Sequence, residues 1–548
     1  MTDESKATPG ADQMREAARS AQETLDLRLS RLPRNDMGNA ERLVRRFGED
    51  LIFVRDAGGP VGWFAWTGTH WDRDKGESSS LLKAQDTSRL IRDEAAAAEA
   101  AGKLKGESDT EFGKRIEGIF KWATISGNAN KISAMLEVAA PQMEKRSEDL
   151  DADPNLLNCL NCTLILRPAD ENGVEQIKHD RLHLITRVAP VNYDVTASCA
   201  QFEQWLALMQ KAKPVRQLLQ RIAGYSLTGS TAAQIVPAFF GTGANGKSTF
   251  VNVIRGALGD YSQTLPIASL LENEFERGSE ATPDIARLVG VRLATASEPP
   301  KGRRISTSKL KLYTGGEKIP ARELRRGFFE FLPKFKLILS FNDKPPVPAK
   351  DDGTWGRVWL IKWGEKVSDE LKEENYHLKL LTELPGILNW MLHGYLDWRS
   401  HGFEVPESVK RDTTDWREEN DPLAGWMADC LVPKPMTYGK ETRADLRASY
   451  EAWCQDNGLD PISGRSFGMQ LGNKGYEKYH DDGTVYGGER SDGPYIQLKP
   501  EWAQRANEWR AKHHRKGKTS GAEGGAAVPA GEAEAAVKHG EGLPDRRG

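Results

Sequence analysis

The stretch GTGANGKST at residues 241–249 limits what this chain can fold into more than any other. Its spacing, Gly241-x-x-x-x-Gly246-Lys247-Ser248, is that of a phosphate-binding loop, in which glycines let backbone N–H groups turn inward around phosphate oxygens. Gly241, Thr242, Gly243, Ala244, Asn245, Gly246, Lys247, Ser248 and Thr249 are the candidate nucleotide-binding residues. Lys247 would meet the β and γ phosphates of ATP, and the Ser248 hydroxyl would ligate Mg²⁺. Such a loop needs a buried strand before it and a helix after it. The mostly apolar AQIVPAFF (233–240) supplies the first, and Phe250, Val251, Ile254 and Leu258 at helical spacing supply the second. Pro237 disagrees, because it removes a backbone donor from what should be a central strand.

At 548 residues the chain has length for about three to four domains. Its 76 basic and 79 acidic residues leave a net charge of -3, so any attraction to nucleic acid has to be local. Five cysteines, no apolar run long enough to span a bilayer and no charged-then-apolar leader read as a cytoplasmic protein of a reducing compartment, away from membranes. Cys159 and Cys162 form a lone CxxC inside alternating apolar residues, with no second pair to complete a zinc site, and read as strand residues.

Composition divides the chain. Residues 1–25 are polar and expected to be disordered, and 26–200 alternate helical stretches with short strands, including an aromatic hairpin, GWFAWTGTHWD, that turns at Thr67-Gly68. A helical connector over 201–230 leads into the phosphate-loop core at 231–370, and a Trp-rich helical segment covers 371–432. In 433–500, a helix opened by Thr442 and Asp445 in capping-box spacing precedes a second helix and two strand candidates. That is the winged-helix order, which could place Arg465, Gln470 and Lys474 toward a DNA groove. The tail, 501–548, reads as largely disordered.

Hydrolysis of ATP needs an acid at the end of a neighbouring strand, and Glu298 ends the strand-like Arg292–Ala296. The buried run Leu337–Leu339 leads to Asn342, whose amide could hold the γ-phosphate or the attacking water. Arg357 follows, beside another apolar strand, and an Arg so placed can stabilise charge developing on the γ-phosphoryl group, often from a neighbouring subunit.

This set resembles the superfamily 3 helicases, and more closely the phage and plasmid primase-helicase family related to the poxvirus helicase-primase. Its carriers are the loop, the acidic strand end, a TGGE…AR segment, a strand ending in Asn and a following Arg; LTELPGILNWMLHGYLDW, GFEVPESV, WFAWTGTHWD and NLLNCLNCTLIL match as well. The resemblance implies a multidomain α/β protein. Its P-loop, AAA+-like superfamily 3 helicase core is preceded by a mixed α+β domain and followed by a helical segment and a winged-helix-like domain. It implies an ATP- and Mg²⁺-dependent hexamer on single-stranded and forked DNA, with 3′-to-5′ movement, and leaves room for a separate primase or polymerase as partner. Lys247, Glu298, Asn342 and Arg357 would be catalytic, with Ser248 and Glu298 on the metal. Lys318, Arg322, Arg325 and Arg326 lie in GGEKIPARELRRGFFEFLPK, which resembles the hairpin that grips DNA, and are dense enough to meet several phosphates. The sequence departs from the family where Ser297 stands in place of a second acid and Gly356 in place of a second Arg.

Two other functions stay open on the residues alone. One is an ATP-gated DNA-binding replication initiator without motor activity; the other is a primase-helicase with a priming site around Asp72 and Asp74.

Overall fold

The computed structural model describes residues 25–167, 173–273, 281–349, 351–366, 376–433, 441–474, 476, 478–479, 485–486 and 496–519. Residues up to Asn420 form one compact unit, and those from Asp421 a second. The expected disordered stretch 1–25 lies almost wholly outside the described residues.

In the first unit, β1 (Leu51–Asp56), β2 (Gly59–Trp66), β3 (Trp71–Asp72) and β4 (Glu144–Arg146) form a sheet in the order β3-β2-β1-β4. Four helices accompany it: α1 (Asp36–Phe47), α2 (Gly76–Ala100), α3 (Asp109–Ser126) and α4 (Ala129–Ala139). The aromatic hairpin is β2 and β3, paired antiparallel and turning where Gly68 takes φ +97°. α1 and α2 are joined by a fully buried ion pair, Arg42 Nε to Glu94 Oε2 at 2.8 Å. A meander of β5 (Leu156–Asn158), β6 (Thr163–Leu166) and β7 (Val174–Ile177) follows. Cys159 and Cys162 are buried, free thiols at its first turn, where Cys159 N donates to Cys162 O.

After α5 (Ala200–Met209) and α6 (Lys213–Tyr225) comes a five-stranded parallel sheet. It comprises β8 (Val236–Phe240), β9 (Ser262–Thr264), β10 (Leu293–Ser297), β13 (Lys336–Phe341) and β14 (Val358–Lys362), in the order β14-β8-β13-β10-β9. Helix α7 (Lys247–Leu258) follows β8. Between β10 and β13 the chain forms α8 (Thr307–Thr314) and a hairpin of β11 (Ile319–Arg322) and β12 (Phe328–Phe331).

β8 lies between β14 and β13, so Pro237 does lie in an inner strand, and the hydrogen-bond parity explains how. Val236 N donates to Arg357 O on the β14 side and Gly241 N to Phe341 O on the β13 side, so the missing Pro237 donor falls toward β13. The β8–β13 register begins only at Ala238, so the proline sits beyond the end of that ladder and costs it nothing internal.

The amino ends of the strands are tied to preceding segments by buried cations. Arg292 donates to the Leu227 and Leu156 carbonyls and lies over the Tyr261 ring at 4.4 Å. Lys336 donates to the Thr228 carbonyl and lies 4.9 Å from the Tyr225 ring centre; burial, then the nearby Arg292, holds its ammonium well below the usual lysine range.

α9 (Leu384–His401) and α10 (Glu407–Glu419) complete this unit. α6 and α9 meet through glycines: a Cβ on Gly224 would lie 2.1 Å from Tyr395 N, and one on Gly394 2.1 Å from Gln220 O. The two backbones therefore touch, and no larger residue fits at either position.

The second unit holds α11 (Ala424–Cys430), β15 (Glu441–Thr442), α12 (Arg443–Asp456), α13 (Gly464–Asn473), β16 (Lys478–Tyr479), β17 (Val485–Tyr486) and α14 (Pro500–Thr519). Its three strands pair antiparallel in the order β15-β17-β16. Thr442 caps α12 by accepting from Asp445 N at 3.1 Å. Trp426 of α11 packs into the core of Leu446, Tyr450 and Phe467, and its indole donates to Ser449 Oγ at 3.0 Å. That packing draws α11, read from sequence as part of segment 371–432, into the second unit. The stretch 501–548, read as a tail, begins inside the 20-residue helix α14; residues from 520 on lie outside the described ones. No helix among the described residues is long and apolar enough to cross a membrane.

The glycine contact sets a stability test with a built-in control. Gly224→Ala and Gly394→Ala are expected to destabilise the unit by about 1–3 kcal/mol or more through forced backbone separation. Gly113→Ala, in the exposed interior of α3 with nothing within 4 Å of the added methyl, is expected to stabilise it by about 0.5–1 kcal/mol. Thermal unfolding midpoints of the three variants check both signs.

Candidate nucleotide site

The loop 241–249 leaves the carboxyl end of β8 and enters α7 at Gly246, whose φ of +84° suits a glycine. Gly243 also has positive φ, and so does Ala244, a conformation that a non-glycine residue rarely takes. Two glycines are fixed by crowding too. A Cβ on Gly241 would lie 2.0 Å from Asn245 Nδ2, and one on Gly246 2.9 Å from the Trp205 ring. Gly246, the N-cap of α7, has no side chain to cap the helix, so the first-turn N–H groups of this 12-residue helix stand where they can meet an anion held by the loop.

Lys247 is 4% exposed, and among the described residues its ammonium donates to neutral oxygens: Gly241 O at 2.6 Å, Asn245 Oδ1 at 3.0 Å and Asn342 Oδ1 at 3.0 Å. Burial lowers its affinity for the proton, opposed by the charge of Glu298. Asn245 braces the arrangement by donating to Trp363 O at 3.0 Å just beyond β14.

Glu298 follows β10 and Asn342 follows β13, so both stand at the same edge of the sheet as the loop. Asn342 Nδ2 spans the two carboxylate oxygens of Glu298 at 3.1 and 3.3 Å, while its own carbonyl accepts from Lys247. Glu298 has φ +57°, and its N–H donates to Ser340 O at 3.0 Å. Three neighbouring strand ends therefore deliver an ammonium, an amide and a carboxylate in one hydrogen-bonded line. In open parallel sheets this edge, where connections run to either side, is where ligands bind. Ser248 and Glu298 are both exposed there. One hydroxyl and one carboxylate suit a Mg²⁺ that keeps several waters; among the described residues no cluster of three or more His, Cys, Asp or Glu side chains forms a protein cage.

Arg357 is not part of this cluster. It precedes Val358, which pairs with Val236, so it stands at the amino end of the sheet, and its guanidinium donates to Gly353 O and Gln234 Oε1. The four hairpin cations also separate. Lys318 and Arg325 are exposed. Arg322 stacks on Phe328 at 5.1 Å. Arg326, read from sequence as a DNA contact, is largely buried in ion pairs with Asp56 at 2.6 Å and Glu323 at 2.8 Å. The sequence pattern shows a run of basic residues but carries no sign of this distant carboxylate. On α13 Arg465 is exposed, and Lys474, just past its end, is paired with Asp421. Asp72 accepts from Lys75 N at 3.1 Å and pairs with Lys75 Nζ at 3.7 Å, so its carboxylate is engaged at the start of α2.

Residues 40–211 match the family described as D5 N terminal like. The chain is 27% identical over 340 residues to "Putative helicase L207/L206" of Acanthamoeba polyphaga mimivirus, covering 57% of this chain and 35% of that one. It is 32% identical over 150 residues to "Putative helicase 022R" of Frog virus 3 (isolate Goorha), covering 27% and 15%. The chain thus spans about a third or less of the length of these curated relatives. Among solved structures, the apo form of the NrS-1 C terminal region is similar at TM-score 0.36 and 12% identity, covering 62% of this chain and 96% of that one. Residues 40–211 thus carry a region like the D5 N terminus, and the chain is similar over part of its length to viral proteins named as putative helicases.

Proposed function

We propose that this chain is an ATP-dependent DNA helicase with a P-loop, AAA+-like, superfamily 3 core, acting as a ring of six copies in replication of a phage, prophage or plasmid. The observation that carries this reading is the line from Lys247 through Asn342 to Glu298 at three adjacent strand ends. Ring size and 3′-to-5′ movement rest on the resemblance to superfamily 3.

Among the described residues Lys247 has no carboxylate in hydrogen-bond contact, which leaves its charge available to the γ-phosphate oxygens. Asn342 fixes both oxygens of Glu298, which lets that single carboxylate orient an attacking water. Ser248 and Glu298 would hold Mg²⁺, which when bound neutralises phosphate charge. Arg357 cannot serve the loop of its own chain: the five residues of β14 alone span about 16 Å at the usual strand rise. It suits the site of a neighbouring copy, where an added cation favours the transition state. Lys318 and Arg325 would meet the DNA backbone, and the second unit is the winged-helix-like module of this reading.

Three outcomes follow for the purified chain. Lys247→Ala lowers ATP turnover by about 10²–10³-fold, the scale of losing one group aimed at developing charge. Arg357→Ala keeps ATP binding but loses about 10³-fold in turnover, and mixing it with Lys247→Ala protein restores part of the activity, because each supplies what the other's shared site lacks. If mixing restores nothing, the assignment across copies is wrong. Asn245→Ala weakens ATP binding by about tenfold, the effect of leaving the Trp363 carbonyl and the Lys247 ammonium each one partner short, as titration with a fluorescent ATP analogue would read.

The helicase reading itself is tested with a forked duplex bearing a 3′ tail, ATP and Mg²⁺. Strand separation by wild type that is lost in Lys318→Ala/Arg325→Ala, with ATP turnover kept, supports it. ATP hydrolysis with no strand separation on any tail polarity overturns it in favour of an ATP-gated initiator.

A further inference from the structure

The tip of the β11–β12 hairpin is seated on the turn between β1 and β2, far from it in sequence. Arg326 Nη2 pairs with Asp56 Oδ1 at 2.6 Å and donates to Gly59 O at 3.1 Å. Gly327 N donates to Gly58 O at 3.1 Å. Glu323 joins Arg326 at 2.8 Å to Arg73 at 3.2 Å, adding a contact with the residue after β3. The Arg326 and Asp56 side chains are only 15% and 9% exposed. The fit also excludes side chains at the crossing, since a Cβ on Gly58 would lie 2.6 Å from Gly327 O. Asp56 Oδ1 additionally accepts from Gly58 N at 2.8 Å, so one carboxylate oxygen shapes the turn and holds the arginine.

Within the helicase reading, on which this rests, we infer that Asp56 is a positioning residue that braces the hairpin for DNA. The contact consumes Arg326 and the Gly327 backbone and leaves Leu324, Arg325 and Lys318 exposed. Arg325 has φ +62°, a strained state that persists only where its surroundings over-determine it. Its flanks supply that constraint: Arg326 N donates to Glu323 O at 3.3 Å, and Arg326 and Gly327 are anchored on the first sheet. The anchor therefore selects the backbone conformation that presents Arg325. The hairpin cannot swing alone, and the region bearing β1 and β2 travels with it.

Asp56→Ala separates this brace from its opposite, a lock that withholds the hairpin from DNA. Removing one negative charge beside a basic hairpin should by electrostatics alone tighten DNA binding, and releasing a lock should do the same. The brace predicts the reverse. Fluorescence anisotropy with a single-stranded oligonucleotide should show affinity weakened by about tenfold, and DNA-stimulated ATP turnover should fall while DNA-free turnover stays at the wild-type level. The charge swap Asp56→Arg/Arg326→Asp, which restores the ion pair but not the contacts to Gly58 N, Gly59 O and Glu323, should recover part of the loss, which a variant damaged in folding would not do. Hydrogen exchange over 319–331 should quicken in Asp56→Ala and slow again in the swap. Equal or tighter binding by Asp56→Ala, in a wild type that does respond to DNA, overturns the brace alone. A wild type that neither binds single strands nor responds to them overturns the helicase reading and this role with it.

Discussion

The arrangement turns on one buried ammonium. Lys247 is taken out of water and given three neutral oxygens, from Gly241, Asn245 and Asn342, in place of a carboxylate. Such burial of a charge is costly unless it is well hydrogen-bonded, so the positions of all three acceptors are under strict geometric demand. Meeting that demand fixes the glycine backbone of the loop, the tie from Asn245 to the chain beyond β14, and the register that ends β13 at Asn342. Glu298 is then set by Asn342, because one amide serves both the ammonium and the carboxylate.

The opposite edge of the sheet follows a different logic. There the cations Arg292 and Lys336 are held by backbone carbonyls and aromatic faces, where they stitch the strands to the meander and to the end of α6. Arg357 and the hairpin belong to this second edge. One end of the sheet thus gathers groups suited to phosphate chemistry, and the other gathers contacts between segments, with the parallel strands as the rigid distance between them.

Much of the first edge was legible in the sequence, because its signals are local. A strand, a glycine-rich turn and a helix read in order from 233 to 258, and Glu298 and Asn342 each close an apolar run. The tolerance of Pro237 was not legible, since it depends on which neighbour its missing donor faces. The burial of Arg326 was hidden for a related reason: its partner Asp56 lies in another domain-sized stretch, and a basic run reads the same whether solvated or paired. The limit of the second unit was misplaced because Trp426 looks like its Trp-rich neighbours until its packing against Tyr450 and Phe467 is seen. Arg357 could be picked out by residue type and order, but only the pairing of β14 with β8 shows how far it stands from the loop.

The glycine contact between α6 and α9 bears on how the chain comes to be folded. The two helices flank the parallel sheet in sequence, so the close-packed seam between Gly224 and Gly394 spans everything in between. Contacts of such sequence separation form late, after the loop they close has lost its freedom. During synthesis α6 leaves the ribosome long before its partner exists, with an apolar face including Leu218, Leu219 and Ile222 still uncovered. That face stays without its close-packed partner until α9 has been made, so the seam between the two helices is among the last contacts the chain can form.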